Sequence, residues 1–310
     1  MANRAGRKHS GAMLTSNGYV LNESSRRLGE LEAVPDRERH DRERLWSRLR
    51  RDGYLFLRGA IDPESARAFR AYYFTKLAGT GLTAGGTPPP MGIAGGGDLD
   101  RAALRRILFQ EIVPGSEYSA FCTQPAIRDW YTWFLNEHPL LHRRKILRHN
   151  RPGETGVGAS TQAHYDLVYL REGTDRVLTS WMPLGDCPLD RGGLTYLEGS
   201  HHWTIHKERN GAVRHPATSL TADLPALADK HDSRWLVTDF TAGDMVVHSA
   251  YLVHAAIDNA DADGVMRLST DIRYQRANEP IDWRWEDHWQ EGDHARRWTA
   301  RSDGSEPASA

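Results

Sequence analysis

The chain has 310 residues and a nearly balanced charge, 40 Lys and Arg against 41 Asp and Glu, for a formal net charge of -1. That balance argues against a general nucleic-acid binder, which usually presents a basic face; the ordinary apolar share of 39% predicts a soluble globular protein with ample chain for a closed core. Two cysteines, Cys122 and Cys187, exclude a disulfide framework and a cysteine-type zinc site, and with no apolar run of membrane-spanning length and no secretory signal the expected location is the cytoplasm, with no membrane partner.

Residues 1–25 are polar and rich in Gly, Ser and Asn, and read as a mobile arm ahead of a single folded unit over 26–310. Leu45, Trp46 and Leu49 recur at helical spacing in the charged stretch 37–51, which predicts an amphipathic helix. Residues 53–59 are a short apolar run bounded by glycines, a buried strand. Asp62-Pro63 sets an N-cap before a proline at the first helical position, so a helix is expected to about Leu77. The Gly/Pro-rich stretch 79–97, with Pro88-Pro89-Pro90, admits no regular element and reads equally as a functional lid or a disordered surface loop. Helices are expected again at 100–110 and 125–137.

From Lys145 the texture changes to short strand-like runs at 146–148, 164–169, 178–184, 193–197, 235–240, 244–248 and 268–274, with a helical insertion at 220–232. Helices to about 144 and a strand-rich core over about 145–276 predict a mainly β fold with buttressing helices, a jelly roll or similar double-sheet barrel. The Trp-rich segment 277–310, with Trp283, Trp285, Trp289 and Trp298, reads as a tail packed on the outside of that core.

The chemistry concentrates at His164-Tyr165-Asp166, His254 and Arg267. A His and an Asp two residues apart on a strand share a face. Two imidazoles and one carboxylate on one side of a metal are the mark of non-haem Fe(II) oxygenases, whose open positions receive a chelating co-substrate and O2. An arginine supplies the fork that a remote carboxylate of such a co-substrate needs. His248, six residues before His254, is the rival second histidine, on the same face if the strand is regular. His201 and His202 read as turn residues.

Further motifs stand in order around these residues. Trp181-Met182-Pro183-Leu184 is followed by Gly192-Gly193-Leu194 and Gly199-Ser200-His201. Gly243-Asp244 then precedes His254 and Asn259, and Arg267-Leu268-Ser269 precedes Arg273-Tyr274. Over about residues 54–274, and most tightly over 164–274, this set resembles the phytanoyl-CoA dioxygenase (PhyH) family of Fe(II)/2-oxoglutarate-dependent oxygenases. The resemblance implies a cupin-like double-stranded β-helix (a jelly roll). It makes His164, Asp166 and His254 the iron ligands. Arg267 becomes the partner of the distal carboxylate of 2-oxoglutarate, with Ser269 beside it. Thr195 touches that co-substrate on family analogy, and Arg273 is a fallback anchor. Tyr169 and Trp181 read equally as cavity lining that meets a small-molecule substrate and as plain core. In related halogenases a small residue replaces the carboxylate, so Asp166 points to hydroxylation or another oxidation. 2-Oxoglutarate and O2 are the implied co-substrates, with succinate and CO2 formed, and natural-product tailoring is a plausible setting. Desaturation, ring closure and epimerisation use the same site. The rival from another class is a metal-binding jelly-roll module without oxygenase activity.

Overall fold

The computed structural model describes residues 13–211 and 219–290. In chain order, β1 (Thr15–Ser16) and β2 (Tyr19–Val20) form a small hairpin and β3 (Leu28–Glu30) follows. Helix α1 (Arg42–Asp52) leads to β4 (Tyr54–Leu57), and then come α2 (Pro63–Leu77), α3 (Arg101–Arg106), α4 (Ser116–Cys122) and α5 (Pro125–Leu135). The strand-rich half comprises β5 (Pro139–Leu141), β6 (Ile146–Asn150), β7 (Leu178–Pro183) and β8 (Leu194–Leu197). After α6 (Ser200–Arg209) and α7 (Leu224–Lys230) come β9 (Trp235–Val237), β10 (Met245–Ser249), β11 (His254–Ala256) and β12 (Arg267–Arg276).

Helix starts follow their local chemistry. Asp41, Asp62, Asp100 and Asp223 each accept a hydrogen bond from a backbone N–H of the first turn they precede. A six-stranded sheet runs β4-β10-β7-β12-β5, with β6 also paired to β12, and a four-stranded sheet runs β11-β8-β9-β3. The sheets are not closed into a barrel.

Strand alternation divides the core. Tyr54, Phe56, Trp181 and Val246 of the larger sheet meet Leu194, Tyr196 and Leu236 of the smaller one in the space between them. Their neighbours Leu55, Leu57, Met182, Val247, Leu268 and Ile272 point outward, under Leu45, Phe69, Tyr73, Tyr118 and Phe134 of the helices. The buttressed jelly-roll expectation therefore holds, with the helices on the outer face of the larger sheet.

Five expectations are corrected. Residues 13–20 are not a mobile arm: Asn17 and Gly18, both at positive φ, turn the β1–β2 hairpin. Thr15 Oγ1 and the backbone N–H groups of Asn17 and Gly18 donate to Asp258. Residues 1–12 lie outside the described set. Residues 79–97 are neither disordered nor free of regular structure. A turn at Pro89–Met91 and bridges from Thr83 to Ala94 and from Ile93 to Val265 fix them, with Leu82 fully buried. The run 164–169 is not one strand, because Asp166–Tyr169 closes a 3-10 turn. The run 235–240 keeps strand geometry only to Val237. His248 and His254 do not share a strand: β10 ends at Ser249, and β11 belongs to the other sheet. In the tail, Trp285 is buried against Ile146, Leu170 and Val177 with the Arg273 guanidinium over its ring, and Trp289 meets Phe109 edge-on. Trp298 falls outside the described residues.

Candidate metal and co-substrate site

His164 and His254 exchange both backbone hydrogen bonds, His164 N to His254 O at 3.0 Å and the reverse at 2.9 Å. Directly opposed residues of that kind present their side chains on one face. The two imidazole centroids are 4.3 Å apart. Tyr165 is extended, at φ -126° and ψ 147°, so Asp166 returns to the face of His164. Tyr165 goes the other way, and its hydroxyl donates to Glu208. The 3-10 turn that begins at Asp166 ends the segment there.

Asp166 Oδ1 lies 3.8 Å from His164 Nε2 and 4.0 Å from His254 Nε2. One donor atom from each of the three residues falls within 4.8 Å of the others. Both Nδ1 atoms face backbone carbonyls, His164 that of Gln162 at 2.8 Å and His254 that of Leu252 at 3.0 Å. A carbonyl only accepts, so each Nδ1 carries the proton and each Nε2 lone pair faces the cluster. Burial pushes both imidazoles below their ordinary range, which keeps them neutral. Burial also opposes a charge on Asp166, but Arg273 foremost, with His248, outweighs it and holds the carboxyl well below the usual carboxylate range. Two neutral imidazoles and one ionised carboxylate suit a first-row divalent metal such as Fe(II).

Arg267 opens β12 on the inner face, 4% exposed. Its Nη1 donates to Ser269 Oγ at 2.8 Å, while Nε has no partner among the described residues. It lines a cavity of about 350 Å³ with Arg148, Asn150, Ser160 and Thr161. A buried guanidinium with a spare donor, facing a polar cavity, is built to receive an anion. Arg273 lies on the same face of β12 but donates to Asp166 Oδ1 at 2.9 Å. It sits at the cluster itself, too near to anchor the far end of a chelate bound there.

The other expected site residues divide. Tyr169 stands edge-on to His164, with centroids 5.7 Å apart. Trp181 is 1% exposed and packs on Phe240 at 4.7 Å, a core role. Thr195 is a correction: between the inward Leu194 and Tyr196 it points out of the sheet interior, and its hydroxyl donates to Leu236 O at 3.0 Å. Sequence reasoning missed Thr179, which donates to Asp166 Oδ2. The available signal was its parity with Trp181 on an inward-facing strand.

Comparison with family models matches residues 100–267 to phytanoyl-CoA dioxygenase (PhyH). The chain belongs to the phytanoyl-CoA dioxygenase family. It is accordingly a dioxygenase that uses iron and 2-oxoglutarate, and the donor set above fits that metal. This PhyH-family oxygenase is 25% identical over 249 residues to a 1-deoxypentalenic acid 11-beta-hydroxylase of Streptomyces exfoliatus, covering 77% of this chain and 82% of that one. Two solved structures share the fold. The non-haem α-ketoglutarate-dependent epimerase SnoN from nogalamycin biosynthesis matches with a TM-score of 0.52 at 19% identity, over 86% of this chain and 92% of its own. The carbocyclase SnoK from the same biosynthesis matches with a TM-score of 0.52 at 20% identity, over 85% and 92%. Among the described residues, no helix is long and apolar enough to cross a membrane.

Proposed function

We propose that this oxygenase hydroxylates a C–H bond of a small secondary metabolite, with His164, Asp166 and His254 holding the iron and Arg267 holding the remote carboxylate of 2-oxoglutarate. The observation that carries the assignment is the convergence of two Nε2 lone pairs and Asp166 Oδ1, with a buried, partly unpartnered arginine on the same sheet face. Bound iron with its two co-substrates supplies the oxidising power, as 2-oxoglutarate becomes succinate and CO2. The chain supplies the rest. Arg267, steadied by Ser269, orients the co-substrate along β12. Tyr169, edge-on to His164, is the side chain there that a substrate would meet.

A natural-product substrate is supported by the hydroxylase of 1-deoxypentalenic acid and by the nogalamycin enzymes. The last two pair this fold with epimerisation and ring closure, which keeps those outcomes as the second reading. Two free, buried thiols suit a cytoplasmic setting.

The test is an anaerobic titration with Fe(II) and then 2-oxoglutarate, reading the visible charge-transfer band of the chelate. A band in the wild type that is lost in Asp166→Ala supports the site. Bound metal without a band turns the reading toward a binding module. Product mass then divides the chemistries: one added oxygen for hydroxylation, two hydrogens lost for desaturation or ring closure, no change for epimerisation.

A further inference from the structure

Asp166 is met from three neighbouring strands at once. The register sets His248 of β10 opposite Thr179 of β7, and Thr179 opposite Arg273 of β12. Residues opposed in this way share a sheet face, so the three side chains form one row across the sheet, directed into the space between the sheets. All three end on the same carboxylate. Thr179 Oγ1 donates to Oδ2, His248 Nε2 lies 3.5 Å from Oδ2, and Arg273 Nη2 donates to Oδ1.

The two carboxylate oxygens therefore have different neighbours. Oδ1 faces the Nε2 atoms of His164 and His254; Oδ2 faces Thr179 and His248. His248 is fully buried, and its Nε2 makes no hydrogen bond among the described residues, with Asp166 Oδ2 the acceptor it faces at 3.5 Å. An imidazole nitrogen facing a carboxylate takes the proton, which leaves Nδ1 to accept from the Tyr196 hydroxyl 3.4 Å away. In that tautomer His248 has no lone pair to offer a metal at Nε2.

We infer that Thr179 and His248, the members of this row that face Oδ2, restrict Asp166 to binding the metal through Oδ1 alone while Arg273 orients the carboxylate, and that His248 acts there as a hydrogen-bond donor and not as a ligand. The inference rests on the metal-ligand reading above and deepens it. A carboxylate bound through both oxygens would occupy a position that the chelating co-substrate and O2 together require. With Oδ2 held by Thr179 and faced by His248, that position stays open.

The row is tested with Mn(II), whose free ion is counted by its electron paramagnetic resonance signal, so that neither turnover nor 2-oxoglutarate enters the measurement. Thr179→Val and His248→Leu each remove one donor at little change in shape. Each is expected to weaken Mn(II) binding by about 10- to 100-fold, the range found when a hydrogen bond to a metal ligand is removed. Thr179→Ser and His248→Gln restore a donor and are expected to return the affinity to within a few-fold of wild type. The thermal midpoint of the metal-free variants separates a lost fold from a lost donor. Unchanged affinity in Thr179→Val and His248→Leu overturns the inference, as does a loss that Ser and Gln fail to rescue. Abolished binding in His248→Leu, with binding kept in His254→Ala, makes His248 the ligand and also overturns it. A wild type that binds Mn(II) but gives no 2-oxoglutarate band sinks the oxygenase reading and leaves this one standing.

Discussion

At the residue scale, two arginines six positions apart on one face of β12 have been given different work by their surroundings. Arg273 donates Nη2 to Asp166 and rests on the face of Trp285, 4.4 Å from the ring centroid, where Nε and Nη1, unpartnered among the described residues, lie beside the cluster itself. Arg267 spends one donor on Ser269 and keeps Nε unpartnered. A hydrogen bond to a charged group contributes about 1.5–3 kcal/mol. Arg267→Ala is therefore expected to raise the dissociation constant of 2-oxoglutarate by roughly 10- to 100-fold, with Mn(II) affinity retained; equal weakening of both ligands would place Arg267 in the metal's support instead. Arg267→Lys should recover part of the loss, since a point charge replaces the fork. Which residues could be found beforehand follows the range of the interaction. His164 and Asp166 are set by local alternation, and His254 and Arg267 by their neighbours in the chain. Thr179 and His248 reach Asp166 only through cross-strand register, and Thr195, taken from family analogy, fails because it alternates with the inward Leu194 and Tyr196 and spends its hydroxyl on Leu236 O.

Elements were most legible where a cap or a period names them. Asp62-Pro63 opens α2 as expected, whereas the strand assigned to 164–169 ignored a turn that brings Asp166 under Thr179 and Arg273. The Gly192-Gly193 pair shows why a motif can be steric rather than chemical. Gly192 sits at φ +79°, and a Cβ there would lie 2.7 Å from Ile257 O. Gly192→Ala is expected to destabilise by about 1–3 kcal/mol, read as a lower denaturant midpoint with unchanged slope. The joint between the helices and the larger sheet carries a pH dependence. His149 of β6 meets the Tyr73 hydroxyl of α2 at 2.6 Å, and His142 donates to Gln275 at 2.8 Å. Burial pushes both down from 6.5 to about 4. Unfolded, each takes a proton as pH falls through 6.5; folded, each resists until about 4. Their contribution is complete above 6.5 and is lost as pH falls through that window, on the order of 3 kcal/mol for each. Urea unfolding of the metal-free protein between pH 7.5 and 4 should show this decline. His149→Phe should remove about half of the decline contributed by this pair, and an unchanged slope would remove His149 from the account.

Across the whole molecule, the N-terminal hairpin ties the start of the described chain to the strand that carries His254. Its polar composition suggests an arm in solvent, yet Asn17-Gly18 is a strong two-residue hairpin signal, and the polar groups serve a partner about 240 residues away. Asp258, 4% exposed, accepts from Thr15 Oγ1, Asn17 N, Gly18 N and Ser160 Oγ, and Ser16 Oγ donates to Ala256 O at the end of β11. No short window of sequence shows that pairing. The balance between a buried charge and its donors then decides what truncation does. Removing residues 1–20 takes three of the four donors from Asp258 and opens that side of the carboxylate to water, which replaces them only in part. Each hydrogen bond to a charged group contributes about 1.5–3 kcal/mol, so even partial replacement is expected to lower the thermal midpoint by several degrees, at about 2–4 °C per kcal/mol. In the full-length protein Asp258→Asn should be destabilising, since its amide nitrogen would face donors. In the truncated protein the same substitution should have little effect, because water meets an amide as readily as a carboxylate. That difference distinguishes a charge held by the hairpin from simple loss of packing: if Asp258→Asn shifts both backgrounds alike, the hairpin contributes contact area and not hydrogen bonds to Asp258.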